Sequence, residues 1–324
     1  GNNSTTHTGK TILNEGTLRL GAGGTISEKR LTINNDATFN VNDQNQSLSA
    51  LSSGRSDTTV ELGSGQLTID KPEDENDSGA SFAGVISGTG SVVKEGDGKQ
   101  TFGTANTYTG STEVKDGTLE LGFADGVTTG PITNDANLRL VQATGTTVTL
   151  NGLQGAGDFT KTGEGTAVLQ RENFATPTPT PNSYNSLTVE QGDLQASPDS
   201  LSNGGAPADF DESTVTTEDA GTFTLDISGG DITWDGSGQI TGSGTLRVDD
   251  DPDSTSPNNR TLTVDPSGPG NQLTTDEITL DVRSNATVDI DSPQTFGGLS
   301  GSKNSTLDIN DINDGDLILD QDKD

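Results

Sequence analysis

Residues Asn106–Gly122 read NTYTGSTEVKDGTLELG and residues Thr5–Gly21 read TTHTGKTILNEGTLRLG, with nine of the seventeen aligned positions identical. The chain repeats itself. A unit of short, glycine-bounded strands cannot bury a core alone, so it must stack on further copies. Outward from this pair, the tetrapeptide Leu-Thr-(Ile or Val)-(Asn, Asp or Glu) recurs at Leu31–Asn34, Leu67–Asp70, Leu187–Glu190 and Leu262–Asp265, with variants at Leu225–Ser228, Leu280–Val282 and Leu307–Asn310. This alternation sends Leu and Ile or Val to one face and Thr and the acid to the other, which describes half-buried strands of three to five residues. Turn signals at Gly21–Gly24, Gly63–Gly65 and Gly242–Gly244 separate strands at about ten-residue spacing, an all-β pattern of sandwich or solenoid type. Helices have little support, because apolar residues rarely recur at three-and-four spacing and Gly, Thr, Ser, Asn and Asp dominate.

Composition narrows the choice. With 324 residues, 27% hydrophobic content, net charge -32 and a mean hydropathy of -0.57, the chain is poorly supplied for a compact globule and approaches the composition of a disordered one. The regular Thr-rich alternation argues against disorder. A solenoid tolerates a thin core, since each rung needs only a few inward Leu, Ile and Val that its neighbours cover. No cysteine is present, so disulfide scaffolds and thiolate metal sites are excluded. No run of eighteen apolar residues offers a membrane span, and no charged-then-apolar leader opens the sequence. The absence of methionine, even at position 1, fits a processed protein or an excised piece.

The acid excess is uneven: residues 201–324 carry 25 Asp and Glu against 5 Lys and Arg, and residues 1–200 carry 24 against 12. This charge disfavours nucleic acid and anionic membranes as partners. Outward acids aligned on successive rungs sit about 4.8 Å apart, and each such pair costs just under ~1 kcal/mol in water before screening. Such ladders call for concentrated salt or a divalent cation, so a high-salt habitat is expected, with calcium as the alternative.

Upstream of the second copy, Phe82–Gly103 reads FAGVISGTGSVVKEGDGKQTFG. The full unit is thus Gly-x-Gly, Val-Lys-x-Gly, a strand, Asn-Thr-Tyr-Thr-Gly and Gly-Thr-Leu-x-Leu. A degraded third copy runs from Leu153 through GAGDFTKTGEGTAVLQ (Gly155–Gln170) and the Leu187–Val189 strand to Gly192-Asp193-Leu194. The pattern resembles the passenger-associated β-strand repeat of bacterial autotransporter passengers. It is closest over residues 5–21 and 82–122, looser to about 196 and faint beyond. The resemblance implies a right-handed parallel β-helix displayed outside the cell, and the motif brings no catalytic residues with it. The alternating ~10-residue segments and aromatic girdles of a translocator barrel are absent, which reads as a passenger fragment or a secreted relative.

The expected architecture is one solenoid over residues 1–324, with better-preserved repeats at 1–196 and more acidic, degraded ones at 197–324; a boundary near 200 is the alternative. At about 23 residues per rung this makes roughly fourteen rungs and an elongated rod on the order of 65 to 70 Å. Loops protrude from it. Residues 173–183 contain Pro177, Pro179 and Pro181, which cannot join a ladder and favour an extended loop; Thr176, Thr178 and Thr180 there are candidate O-glycan carriers. Ser197–Ala220 and Asp249–Asn259 are further loops.

Candidate chemistry is sparse. Asp249, Asp250, Asp251 and Asp253 form the densest carboxylate cluster and suit calcium, although their spacing matches no known loop and a solvated acidic turn explains them as well. Asp308–Asp316 resembles an EF-hand loop superficially, but aligning Gly315 at the sixth position puts Ile312 third and Gln321 twelfth, which breaks the ligand pattern. His7, the sole histidine, aligns with Tyr108 and reads as a repeat-surface residue. Without a second His or any Cys, catalytic triads and zinc sites of usual composition are excluded. Carboxylate-only glycoside hydrolysis survives on composition, but Trp234 beside Asp235 stands alone as a sugar platform, with Arg247 the base nearest the aspartate cluster. Of the Asn-x-Ser/Thr sequons at Asn2, Asn3, Asn45, Asn259, Asn285 and Asn304, chance explains most in a chain so rich in Asn, Ser and Thr. Gly88-Thr89-Gly90, with no helix to follow, is a rung corner and not a phosphate loop.

The expected function is a secreted or cell-surface structural protein, forming an extracellular fibre or adhesive stalk without enzymatic activity, with cell-surface glycans as candidate partners. Unpaired strand edges at the ends suggest head-to-tail self-association into a homo-oligomer or filament. The alternatives are a β-helix polysaccharide lyase or glycoside hydrolase and a ligand-specific adhesin.

Overall fold

A computed structural model describes residues 9–26, 29–73, 80–103, 105–170, 185–196, 214–227, 231–234, 239–250, 260–264, 273, 277–283, 285–291, 294–302, 304–309 and 317–319. Every regular element among them is a β-strand, and every strand pairing is parallel. The chain is a parallel β-solenoid. It divides into two compact units, residues 1–150 with 155–158, and residues 151–154 with 159–324.

In the first unit, Thr11–Leu13, Leu31–Ile33 and Leu51–Ser52 form one strand column, and three others accompany it. One holds Thr17–Arg19, Thr38–Asn40, Thr59–Glu61 and Val85–Ser87; the next holds Gln46–Leu48, Gln66–Asp70, Ser91–Glu95, Thr112–Val114 and Ile132–Asn134; the third holds Ala80–Phe82, Lys99–Phe102, Thr118–Leu121 and Asn137–Val141. Gln46, Leu67, Val92, Thr112 and Ile132 stand in register at intervals of 21, 25, 20 and 20 residues, close to the rung length expected from the repeat. In the second unit, Thr214–Asp226, Thr245–Asp249, Thr279–Arg283 and Gly298–Gly301 form one column, and Ile232–Trp234, Thr261–Val264, Thr287–Ile290 and Thr306–Ile309 form another. There Thr222, Thr245, Thr279 and Gly298 are spaced by 23, 34 and 19 residues, so rung length varies more.

The core follows from period-two alternation. Leu18, Phe39, Val60 and Ile86 stack as an inward column, and the last three are wholly buried. Leu246, Leu280, Leu262 and Val288 play the same part in the second unit. Each such side chain contributes about 1.5–3 kcal/mol when fully covered, and coverage comes from the rung above and below.

Glycine sits where rungs turn. A Cβ at Gly110 would lie 2.1 Å from the Gly90 carbonyl oxygen, and one at Gly90 would lie 1.9 Å from that of Gly65. No larger residue fits, because the backbone of the preceding rung occupies the space. Gly88-Thr89-Gly90 is indeed such a corner: the Thr89 and Gly90 amides both donate to the Gly63 carbonyl at 2.7 Å.

Candidate functional site

The outward positions of the first unit's Thr17–Arg19 column line an open depression of about 350 Å³ bounded by Arg19, Asn40, Asn42, Asp43, Glu61, Gly63, Ser87 and Gly88. Its polarity is built by register. Arg19, Asn40, Glu61 and Ser87 occupy one column on four successive rungs. The Arg19 guanidinium donates to the Asn42 side-chain oxygen and the Asn40 amide to Glu61. The turn beyond is locked by Asn42, whose amide donates to the Leu20 carbonyl at 2.8 Å, and by Asp43, which accepts from the Ser64 backbone N–H at 2.8 Å. The Ser64 backbone and hydroxyl hydrogen bonds, with Arg19 nearby, hold the Asp43 carboxyl below its usual range. The result is a wall of alternating donors and acceptors suited to hydrogen-bonding a polyhydroxylated ligand.

Beneath the surface, polar side chains join rungs from inside. Lys94 is fully buried in an inward column between Ile69 and Val114. Its ammonium donates to the carbonyls of Glu95 at 2.8 Å and Gly96 in its own turn, and of Asp116 at 3.1 Å on the next rung. Lys161 repeats the arrangement in the second unit, with Thr162, Gly163 and Gln191 carbonyls at 3.0, 2.6 and 3.1 Å. Burial pushes each ammonium down to about 8, against the pull of Asp116, Asp70 and Asp97 on Lys94 and of Asp193 on Lys161. Both belong to a Lys-x-Gly turn, preceded by Val93 in the Val-Lys-x-Gly of the repeat and by Thr160 in its degraded copy; that recurrence was the available signal, and composition alone treats lysine as a surface residue.

The Asn-Thr-Tyr-Thr-Gly motif does related work. The buried Asn106 accepts from the Ile86 N–H at 3.0 Å and donates to the Gly103 and Gly122 carbonyls at 2.7 Å. Tyr108 is entirely buried, its hydroxyl 2.9 Å from Thr112 and its ring 5.5 Å from Phe123; burial pushes its phenol well up, only partly offset by the Thr112 hydrogen bond. The Tyr108 ring thus fills a rung interior; His7, aligned with it and read as a repeat-surface residue, lies outside the described residues.

In the second unit, charge converges on Asp281, whose side chain is 3% exposed. Arg247 Nε and Arg283 Nε donate to it at 3.0 and 2.8 Å and the Ser300 hydroxyl at 2.7 Å. Burial opposes its ionisation, but the Arg283, Ser300 and Arg247 hydrogen bonds outweigh that and hold the carboxyl below its usual range. Arg247 is thus committed to Asp281. Of the aspartate cluster, Asp249 ends the Thr245–Asp249 strand in register with Asp226 and Arg283, and Asp249 and Asp250 are both buried; Asp251 and Asp253 lie outside the described residues, as do Thr176, Thr178 and Thr180. Among the described residues, no three His, Cys, Asp or Glu side chains converge as a metal site requires. An acidic depression of about 380 Å³ is bounded by Glu190, Glu218, Asp219, Ala220 and Ser243. Trp234 is 1% exposed and packs with Leu225, Ile232, Ile240, Leu246, Leu262 and Leu273, so it is a core residue and cannot serve as a sugar platform.

Comparison with known proteins agrees with this construction. Residues 1–20 and 92–121 match the passenger-associated-transport-repeat family. Over 122 residues the chain is 35% identical to the adhesin BmaC autotransporter of Brucella suis biovar 1 (strain 1330), a match covering 36% of this chain and 4% of that protein. No solved structure matches. No helix among the described residues is long and apolar enough to cross a membrane. The chain carries the repeat of autotransporter passengers and is an extracellular or cell-surface protein.

Proposed function

We propose that this chain is a segment of a cell-surface adhesin whose solenoid presents the Arg19–Asn40–Glu61 face to glycans on another cell. The observation that carries the reading is that depression, with ladder-fixed donors and acceptors, in a chain similar to an autotransporter adhesin. Its role is binding and display, not catalysis: the described Arg247 serves an internal ion pair and Trp234 serves the core. Binding of the chain to an array of immobilised cell-surface glycans, with at least tenfold weakening by Arg19→Ala and Glu61→Gln, tests it. Unchanged binding by both variants rejects the assignment of this face.

Self-association is a second reading, motivated by two apolar residues on strands paired on one side among the described residues. Ile12, on Thr11–Leu13, is 49% exposed and Ile309, on Thr306–Ile309, is 39% exposed. Edges of this kind accept a further strand, and repeated head-to-tail pairing yields a fibre or stalk. Light scattering across salt and protein concentration should then show mass growing with concentration; a strict monomer rejects it.

A further inference from the structure

The threonines of three sequons share one strand position on successive rungs. Thr261, Thr287 and Thr306 stand in register, and each is the third residue of an Asn-x-Thr sequence: Asn259-Arg260-Thr261, Asn285-Ala286-Thr287 and Asn304-Ser305-Thr306. Asn259 lies outside the described residues; the other two are fully placed.

Asn285 and Asn304 each sit in a tight turn before the strand. Ala286 N–H donates to the Arg283 carbonyl at 2.9 Å and Ser305 N–H to the Ser302 carbonyl at 3.3 Å, closing four-residue turns with Asn285 and Asn304 third. That position has positive φ, 63° and 70°, which Gly, Asn and Asp tolerate. Asn304 and Thr306 are exposed, and Asn285 and Thr287 are half-buried.

The backbone does not require asparagine there. In the first unit, the turn closed by Ala37 N–H on the Asn34 carbonyl carries Asp36 third, at φ 53°, and is followed by Ala37-Thr38. The turn closed by Thr146 on Ala143 carries Gly145, at φ 72°. The corner thus repeatedly supplies a threonine, and asparagine in place of Asp or Gly makes it an acceptor for N-linked sugar. This choice falls in the more acidic part of the chain, where Asp is otherwise preferred.

We propose that Asn285 and Asn304 are N-glycosylation sites, each taking a single hexose from a nucleotide-activated donor. The side-chain nitrogen attacks C1 of the sugar; the C1–N bond forms, the C1–O bond to the diphosphate breaks, the nucleoside diphosphate leaves with the bonding pair, and the amide loses one proton. A monosaccharide is specified by the spacing. Neighbouring rungs are about 4.8 Å apart, roughly the thickness of a sugar ring, and branched oligosaccharides on both would occupy the same space.

The test is peptide mass spectrometry of the protein recovered from its producing cells. Trypsin separates the two acceptors into Ser284–Lys303 and Asn304–Lys323. One hexose on the asparagine of either or both peptides supports the proposal. Asn285→Asp and Asn304→Asp, which reproduce the residue type of Asp36, should keep the turns and reduce occupancy to background, as should Thr287→Ala and Thr306→Ala, while Thr→Ser at both positions retains it. Wholly unmodified peptides, an oligosaccharide in place of a hexose, or sugar persisting in the Thr→Ala variants would overturn it.

Discussion

The two units build one kind of rung with different surfaces. In the first, charges pair across neighbouring rungs at the surface: Lys115 with Glu95 at 3.1 Å, Lys99 with Glu120 at 2.8 Å, and Arg139 with Glu120 at 3.6 Å. In the second, the ion pairs of the described residues gather around Asp281 and Arg247, while acids such as Asp289 and Asp308 stand directly above one another. Inward positions scarcely differ: both units bury Leu, Ile, Val and Phe columns and both contain a lysine held by three carbonyls. Inward and corner positions are therefore fixed by packing, while outward positions are free to diverge.

Substitution at the corners should have the largest effect and should be shared by both units. Gly110→Ala and Gly242→Ala each drive a Cβ into backbone, 2.1 Å from Gly90 O and 1.9 Å from Thr217 O, and should each destabilise by about 3 kcal/mol or more; hydrogen exchange on peptides of each unit reads this. A loss below about 1 kcal/mol would mean that rungs separate easily. Next, Lys94→Met and Lys161→Met leave buried carbonyls without their donor, and each should cost about 1–3 kcal/mol by chemical denaturation. An effect in one unit only would break the equivalence of the two clasps.

The remaining predictions separate the units. Asp281 has a lowered folded pKa, so its contribution is complete above the unfolded value of 3.8 and is lost as pH falls through 3.8 toward the folded pKa. Acid should loosen exchange around Thr279–Arg283 in the wild type, and Asp281→Asn should flatten that dependence. The smallest effect is salt. Added NaCl screens the acidic excess of residues 201–324 and should raise their melting temperature more than that of the first unit; a fall would reject adaptation to high salt.

Much of this was legible in the residues. The Leu-Thr-Ile/Val-acid alternation marked strands that form at Leu31–Ile33, Gln66–Asp70 and Thr261–Val264, because period-two burial acts locally. The polar interior was not legible. Tyr108 and Lys94 have side chains ordinarily found partly or wholly exposed; the Thr112 hydroxyl four residues on makes the burial of Tyr108 tolerable, and the Asp116 carbonyl on the next rung helps do so for Lys94. Trp234 misled for the opposite reason: an isolated Trp beside an acid suggests a sugar platform until its burial is known.

The sequence by itself determined that the chain is built from stacked short strands with glycine corners, since alternation and turn chemistry depend on residues a few positions apart. Tertiary structure decided which residues share a column. Arg19 meets Asn40, Asn40 meets Glu61 and Thr287 meets Thr306 through register between rungs, and rung lengths that vary from 19 to 34 residues cannot be counted along the chain. The binding face and the sugar acceptors follow from that register.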